Sequence, residues 1–387
     1  MRTQVAIIGA GPAGLLLSHL LHLHGISSVV LEIRDREYIE KRVRAGVLEQ
    51  GTVDTLREAG LATRLDAEGL RHEGIELRFD GEGHRVPMTE LTGRAITVYG
   101  QQEVIKDLVA RRLADGGDVR FEVSDVRLDR LTTDVPVVRY RHEGQDVELE
   151  CDFVAGCDGY HGVSRGSAPA GALQTFEREY PFGWLGILAE AKPAVDELIY
   201  CLHQNGFALY SMRSQKVSRL YLQVPADERI EEWPDERIWT ELATRFRLAG
   251  SDWRPNEGPI FDKGITPMRS LVTEPMRYGR LLLAGDAVHI VPPTGAKGLN
   301  LAVNDVRLMA RALDAWYSSR DETLLDSYTS DALSRVWRVQ HFSWWMTSML
   351  HRFPGDDSYQ HRLQVAQLRN VVESPAYATA LSENYVG

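Results

Sequence analysis

The sequence predicts an α/β protein: a parallel, helix-covered sheet begun at the N-terminus is left for a mixed sheet in the middle of the chain and rejoined late, before a helical C-terminal region. Three observations carry this. Gln4-Val5-Ala6-Ile7-Ile8 stops at Gly9-Ala10-Gly11-Pro12-Ala13-Gly14 and gives way to recurrent leucines, the pattern of strand, tight turn and helix. Trp184 to Val224 is largely strand-like and rich in hydroxyl and aromatic residues, as a separate sheet would be. Arg280-Leu281-Leu282-Leu283-Ala284 is another buried strand, closed by Gly285-Asp286. Its late arrival means interleaved domains, with 1–72, 98–180 and 268–330 forming the first unit, 73–97 and 181–267 the mixed sheet, and 331–387 the helical region.

The elements follow in order. After the helix-ending Gly25, Ser28-Val29-Val30-Leu31-Glu32 makes a second strand, so the first 32 residues form one βαβ unit. A helical pattern returns at Val53-Leu56-Leu61. From Glu73 to Val98 the chain alternates as antiparallel strands do, with turns at Asp80-Gly81 and Gly83. Val104 to Leu113 is amphipathic, Val119 to Val123 and Val135 to Tyr140 alternate, and Leu149 to Val154 runs into Gly156-Cys157-Asp158-Gly159. A glycine- and proline-rich loop follows Asp286, and a long helix begins near Leu299. Phe342, Trp345, Met346, Met349 and Phe353 keep helical spacing, which reads as core packing ahead of a subunit interface.

Composition narrows the class. Of 387 residues 43% are hydrophobic and 26% charged, which excludes a disordered or fibrous chain. The balance of 44 − 55 = −11 and the lack of a long basic run argue against a nucleic-acid partner. Three cysteines, Cys151, Cys157 and Cys201, give neither a disulfide framework nor metal-ligand spacing, so no metal is expected and a reducing cytoplasmic setting fits. Met1-Arg2 followed by Val5 to Leu17 imitates a signal peptide, but Gly9, Gly11 and Gly14 interrupt it and no cleavage site follows. No stretch reaches the ~18 apolar residues of a membrane span.

Gly9-x-Gly11-x-x-Gly14 lies between strand and helix, with Glu32 ending the second strand. This Rossmann-like context is more specific than the glycines alone. They let backbone N–H groups approach a pyrophosphate at the positive helix end, and a carboxylate at position 32 can accept from both ribose hydroxyls. The motif leaves FAD and NAD both open. Asp286, with Leu299 and Asn300 opening a helix, favours FAD: the acid suits the ribityl and pyrophosphate linker, and the helix would aim its positive end at the flavin N1–C2=O edge.

The chain resembles the group A flavoprotein aromatic hydroxylases along essentially its whole length. The resemblance is carried by Arg42-Val43-Arg44-Ala45-Gly46-Val47-Leu48-Glu49-Gln50, Gly156-Cys157-Asp158-Gly159-Tyr160-His161-Gly162, Tyr180 to Gly186, and Ser382-Glu383-Asn384-Tyr385-Val386-Gly387. It implies tightly bound FAD held by Gly9 to Gly14, Glu32, the segment Arg42, Val43, Arg44, Ala45, Gly46 and Val47, Gln101, Asp158, Asp286 and the Leu299-Asn300 backbone. It also implies NADH or NADPH as a transient cosubstrate. Read locally, Asp158 could equally cap a turn.

Ser211, Met212, Arg213 and Tyr221 would receive a benzoate carboxylate, for which an arginine fork with hydroxyls is a sound receptor. Tyr200 would contact the phenol, Tyr385 would hydrogen-bond Tyr200, and His72 would link that chain to solvent, while Pro293 and Thr294 line the other side of the ring. The implied activity is conversion of 4-hydroxybenzoate to 3,4-dihydroxybenzoate with NAD(P)H and O2, through a flavin C4a-hydroperoxide, in a cytoplasmic homodimer. Another hydroxy- or aminobenzoate hydroxylase and a flavin-binding redox sensor are the alternatives. Phe342-Ser343-Trp344-Trp345 departs from the W-x-W-x-I-P of flavin halogenases. Met212 replaces an expected polar residue. Asp35, Glu37 and Glu40 would repel a 2′-phosphate that Arg34 and Arg42 would meet, a balance leaning to NADH or to use of both coenzymes.

Overall fold

A computed structural model describes residues 1–44 and 46–387, and the expectation for Ala45 lies outside the described residues. Val5–Ile8, Ser28–Leu31, Asp118–Arg120, Phe153–Gly156 and Leu281–Leu283 form one parallel sheet, with Arg277–Tyr278 added antiparallel at its edge. In chain order the parallel strands lie 3-2-1-4-5, so the direction of winding reverses between the first and fourth. Ile8 there stands beside Gly156. That reversal opens a crevice at the carboxyl ends of the two strands, where α/β sheets take their ligands. The central strands are buried because the Pro12–Leu23, Gln101–Ala114 and Gly298–Ser319 helices pack against the sheet with their leucine, valine and alanine faces, while the edge strand Asp118–Arg120 is only partly covered.

The second sheet has eight strands, in the order His289–Ile290, Ile260–Glu274, Gln174–Ala189, Ser218–Pro225, Ala208–Met212, Leu198–Cys201, Ile75–Phe79 and Glu82–Val86. Neighbours are antiparallel except Leu198–Cys201 against Ile75–Phe79. One row crosses it in register: Gly186 pairs with Tyr221, Tyr221 with Leu209, and Leu209 with Tyr200. Residues in register share a face, so Tyr200 and Tyr221 project from the same side two strand spacings apart, about 10 Å. The alternation between Glu73 and Val98 is a hairpin turning at Asp80-Gly81, then a short helix, Met88–Thr92, and the strand Ile96–Val98. Helix Met88–Thr92 was not expected; it holds only one full turn, too short for a periodicity to show.

The helix Thr323–Leu350 buries Phe342, Met346 and Met349 as the spacing requires, leaves Trp344 exposed, and ends before Phe353. Ser358–Glu373 and Pro375–Val386 return the chain so that Tyr385 enters the core beside the second sheet. Among the described residues no helix is long and apolar enough to cross a membrane.

Candidate active site

The crevice between the two sheets is approached from the glycine turn. Gly9 has φ +100°, and a Cβ there would fall 2.5 Å from the Cys157 carbonyl oxygen; at Gly14 it would fall 2.0 Å from that of Gly9. Around Gly11 no atom comes within 4 Å of such a Cβ, so the turn packs on protein behind and faces open space in front. The helix starting at Pro12 has no side-chain cap, leaving first-turn amides free for an anion. Glu32 accepts from the N–H groups of Ala10 (2.8 Å) and Arg34 (2.9 Å), which fixes its carboxylate beside the turn.

Asp158 behaves as a cap, its Oδ2 accepting from both N–H and Oγ–H of Ser164 at 2.9 Å, while Oδ1 is buried without a partner. Asp286 has exposed surface but is surrounded by protein. Burial raises its pKa, opposed by His289, Arg44 and Arg42. Its turn is pinned from below: Asp305 Oδ2 accepts from the Gly285 N–H at 2.9 Å and pairs with His289 Nε2 at 2.6 Å.

Asn300 is fully committed within the protein. Its Nδ2 donates to the carbonyls of Val47 (3.0 Å) and Ala296 (2.9 Å), and its Oδ1 accepts from the Glu49 N–H (2.9 Å) and Thr52 Oγ1 (2.8 Å). Only its backbone and that of Leu299 remain to face a ligand, at the start of a 22-residue helix that lacks a side-chain cap. The same side chain anchors Val47. Val47 pairs with Val98 and Gly46 accepts from the Tyr99 N–H at 2.8 Å, while Arg42, Val43 and Arg44 are irregular backbone after the Arg36–Lys41 helix. Gln101 opens the helix that follows Tyr99 and Gly100.

At the far end Arg213 Nη2 donates to the Arg44 carbonyl at 2.9 Å, and its Nε is buried without a partner. Arg219 Nε is in the same condition, with its guanidinium 5.0 Å from the Tyr221 ring centroid. Burial lowers the Arg213 pKa. Burial alone would raise the Tyr221 phenol, but Arg219 and Arg213 outweigh it and hold the phenol below the ordinary tyrosine value. Two half-buried cations with unmet N–H groups beside a polarised phenol make a receptor for a carboxylate. Ser211 lies on the Leu209 side of its strand, toward the pocket; the pleat places the Met212 side chain with Tyr210 on the opposite face. Met212 therefore offers the pocket only backbone.

Tyr200 and Tyr385 are hydrogen-bonded hydroxyl to hydroxyl, with rings edge to face. Burial raises both phenols; at Tyr200 the neighbouring Tyr385 raises it further. The pair is therefore neutral. His72 is buried with neither ring nitrogen bonded to protein and its pKa lowered by burial to about 4, so it is not joined directly to Tyr385. Pro293 and Thr294 form a helical turn against the long C-terminal helix.

Arg219 and a largely buried ionic trio here escaped sequence reasoning. Arg219 sits two residues before Tyr221 on one strand, a period-two signal that could have found it. Lys297 is buried, donates to the Tyr385 carbonyl at 2.8 Å and pairs with Glu49, which Arg335 also contacts. Its pKa is lowered by burial, against the pull of Glu49. No local signal marks this trio, which spans 286 residues of chain. The glycine cradle, two uncapped helix starts, the fixed Glu32 and the unpartnered Asp158 oxygen fit an elongated dinucleotide with a flavin, which would be held by those groups with Asp286 and the backbone of Arg42, Val43, Arg44, Gly46 and Val47.

Comparison with known proteins agrees. A family profile described as FAD binding domain matches residues 2–343. The chain is 48% identical, over all of its own length and 96% of the relative's, to p-hydroxybenzoate hydroxylase of Acinetobacter baylyi. It is 26% identical to a probable NADH-specific resorcinol 4-hydroxylase of Rhodococcus jostii, over 85% of this chain and 62% of that protein. The crystal structure of p-nitrophenol 4-monooxygenase from Pseudomonas putida superimposes with a TM-score of 0.85 at 18% identity, covering 100% and 99% of the two chains, which shows the shared fold. The chain therefore belongs to the FAD-dependent aromatic hydroxylases, in the p-hydroxybenzoate hydroxylase family.

Proposed function

We propose that the protein hydroxylates 4-hydroxybenzoate to 3,4-dihydroxybenzoate, consuming one NAD(P)H, one proton and one O2 and releasing NAD(P)+ and water. The observation that carries this is the Tyr221–Leu209–Tyr200 row, with two guanidinium groups whose Nε–H are unmet at one end and a neutral phenol pair at the other. Arg213, with Arg219, Ser211 and Tyr221, holds the carboxylate; the para hydroxyl then falls at Tyr200. Bound FAD supplies the two-electron chemistry that activates O2.

Because both tyrosines resist ionisation, they act as a relay. Tyr200 takes the substrate's proton as its own passes to Tyr385, which releases its own toward His72 by way of water, so neither stands as a phenolate. The phenolate left on the substrate is electron-rich at the carbon that receives oxygen. Lys297, held beneath Tyr385, favours negative charge at that end. His72, neutral above about pH 4, relays onward by accepting and releasing a proton rather than storing one. Thr294 contributes shape, since its hydroxyl proton is engaged outside the pocket.

The coenzyme hollow is lined by Asp35, Glu37, Tyr38, Lys41 and Arg42. Asp35 caps its helix, Glu37 pairs with Lys41 and Glu40 with Arg36, while Arg34 and Arg42 lie over Tyr38. Each acid is thus partly neutralised, which supports use of both coenzymes. Exposed Trp337, Trp344, Tyr359, Leu363 and Tyr377 on the C-terminal helices support a homodimer, the three free buried cysteines suit the cytoplasm, and the two sheets support the interleaved domain partition.

Chromatography of aerobic turnover tests the function. Holoenzyme with 4-hydroxybenzoate and NADH or NADPH yields 3,4-dihydroxybenzoate in near-stoichiometric amount; coenzyme oxidation that the acid leaves unchanged, or preference for 3-hydroxybenzoate or an aminobenzoate, overturns it.

A further inference from the structure

Behind the pocket, His351 ends the long helix and is wholly buried. Its Nδ1 lies 3.0 Å from the Thr347 carbonyl and its Nε2 lies 2.7 Å from the indole Nε1 of Trp184. A carbonyl only accepts and an indole N–H only donates, so the imidazole is the neutral Nδ1–H tautomer. Its pKa agrees, lowered by burial to about 3.

The ring is stacked between Phe207 and Phe182, with centroids 4.3 and 4.8 Å away. Trp184 stacks on Phe207 at 5.0 Å and leans on Tyr221 at 4.9 Å, and Phe207 meets the Tyr200 ring at 6.1 Å. One imidazole therefore fixes an aromatic wall that touches both ends of the substrate row.

The same helical turn holds the facing loop. Thr347 Oγ1 donates to the Ser343 carbonyl at 2.7 Å, so in its 2.8 Å bond with Thr294 it is the acceptor. One residue beyond His351, Arg352 donates its N–H to Gln223 Oε1 (3.1 Å) and accepts from Gln223 Nε2 (2.6 Å), on the strand that carries Tyr221.

We propose that His351 is a positioning residue for hydroxylation, the acceptor that orients Trp184 against Tyr221 and, through Phe207, against Tyr200, and that with Thr347 ties that wall to the Pro293-Thr294 turn. The proposal rests on the reading of the Tyr200 to Tyr221 row as the substrate pocket. Without an acceptor the Trp184 N–H is left unpaired in a dry aromatic box, and the indole must turn or admit water. Water near the oxidising centre diverts it to unproductive decay.

The test uses FAD-loaded enzyme carrying His351→Leu, His351→Gln, Trp184→Phe, or Leu and Phe together. Gln offers the indole an oxygen, whereas Leu fills space without an acceptor. The readouts are the Kd for 4-hydroxybenzoate, from perturbation of flavin absorbance, and 3,4-dihydroxybenzoate formed per NAD(P)H oxidised. His351→Leu raises the Kd and lowers product per coenzyme by roughly threefold or more, His351→Gln recovers much of that loss, and the double variant couples no worse than Trp184→Phe alone.

Wild-type coupling in His351→Leu, no recovery in Gln, or independent losses in the double variant overturn the role. Should His351→Leu not fold, unchanged coupling in Trp184→Phe overturns it. A wild type that forms no 3,4-dihydroxybenzoate instead overturns the substrate assignment.

Discussion

At Arg213 and Arg219 the fold holds buried N–H groups that no protein acceptor meets, an arrangement that costs stability unless a ligand completes it. Arg213→Ala is therefore expected to weaken 4-hydroxybenzoate binding by about 2 to 5 kcal/mol in a flavin-perturbation titration. Binding within twofold of wild type would move the carboxylate elsewhere. Tyr200→Phe tests the other end: binding stays near normal, product collapses and H2O2 replaces it, whereas unchanged coupling would remove the relay. Arg213, Tyr200 and Tyr385 enter the proposal through family resemblance. Arg219 was missed because a strand arginine ordinarily faces solvent, and only its orphaned Nε separates it from that case.

Among the elements, the Gly298–Ser319 helix gathers distant pieces. Asn300 bonds two carbonyls, one N–H and one hydroxyl, joining the helix start to the Val47–Thr52 stretch. Asn300→Ala removes these four bonds at once. The expected result is weaker FAD retention on dialysis and a lower melting temperature, from a loss of about 2 to 4 kcal/mol at ~1 kcal/mol per bond. FAD affinity and melting equal to wild type would show that the helix start needs no such anchor. Strands ended by glycine and the helix near Leu299 were readable from local pattern. Their cross-links were not, because hydrogen bonds between residues 251 positions apart leave no periodicity.

Over the whole molecule, buried histidines set the acid limit. His72 and His351 have native pKa values lowered to about 4 and about 3, against about 6.5 unfolded. Between those values the unfolded chain binds protons that the native one refuses, so stability is full above pH 6.5 and falls as pH drops. For His72 the loss by pH 4 is on the order of 3 kcal/mol. His289 works in the opposite sense: despite burial, Asp305 raises its pKa, so its contribution is full below about 6.5 and fades as pH climbs through the raised value. Melting followed from pH 4 to 7 should show a steep acid flank that His72→Asn makes shallower; an unchanged flank would mean His72 is solvated.

The late return of the chain to the first sheet was signalled by the glycines that close three of its strands, Gly9, Gly156 and Gly285; Ser28–Leu31 and Asp118–Arg120 carry no such mark. The candidate site was not, since it joins residues as distant in sequence as Tyr200 and Tyr385, or Asn300 and Val47, which no local pattern links.

A crystal structure of the FAD-loaded protein with 4-hydroxybenzoate tests the central claim most directly. The account predicts the carboxylate on Arg213 and Tyr221 and the phenol oxygen within hydrogen-bond reach of Tyr200; an acid group turned toward the tyrosine pair, or a ligand bound outside the Tyr200 to Tyr221 row, would contradict it.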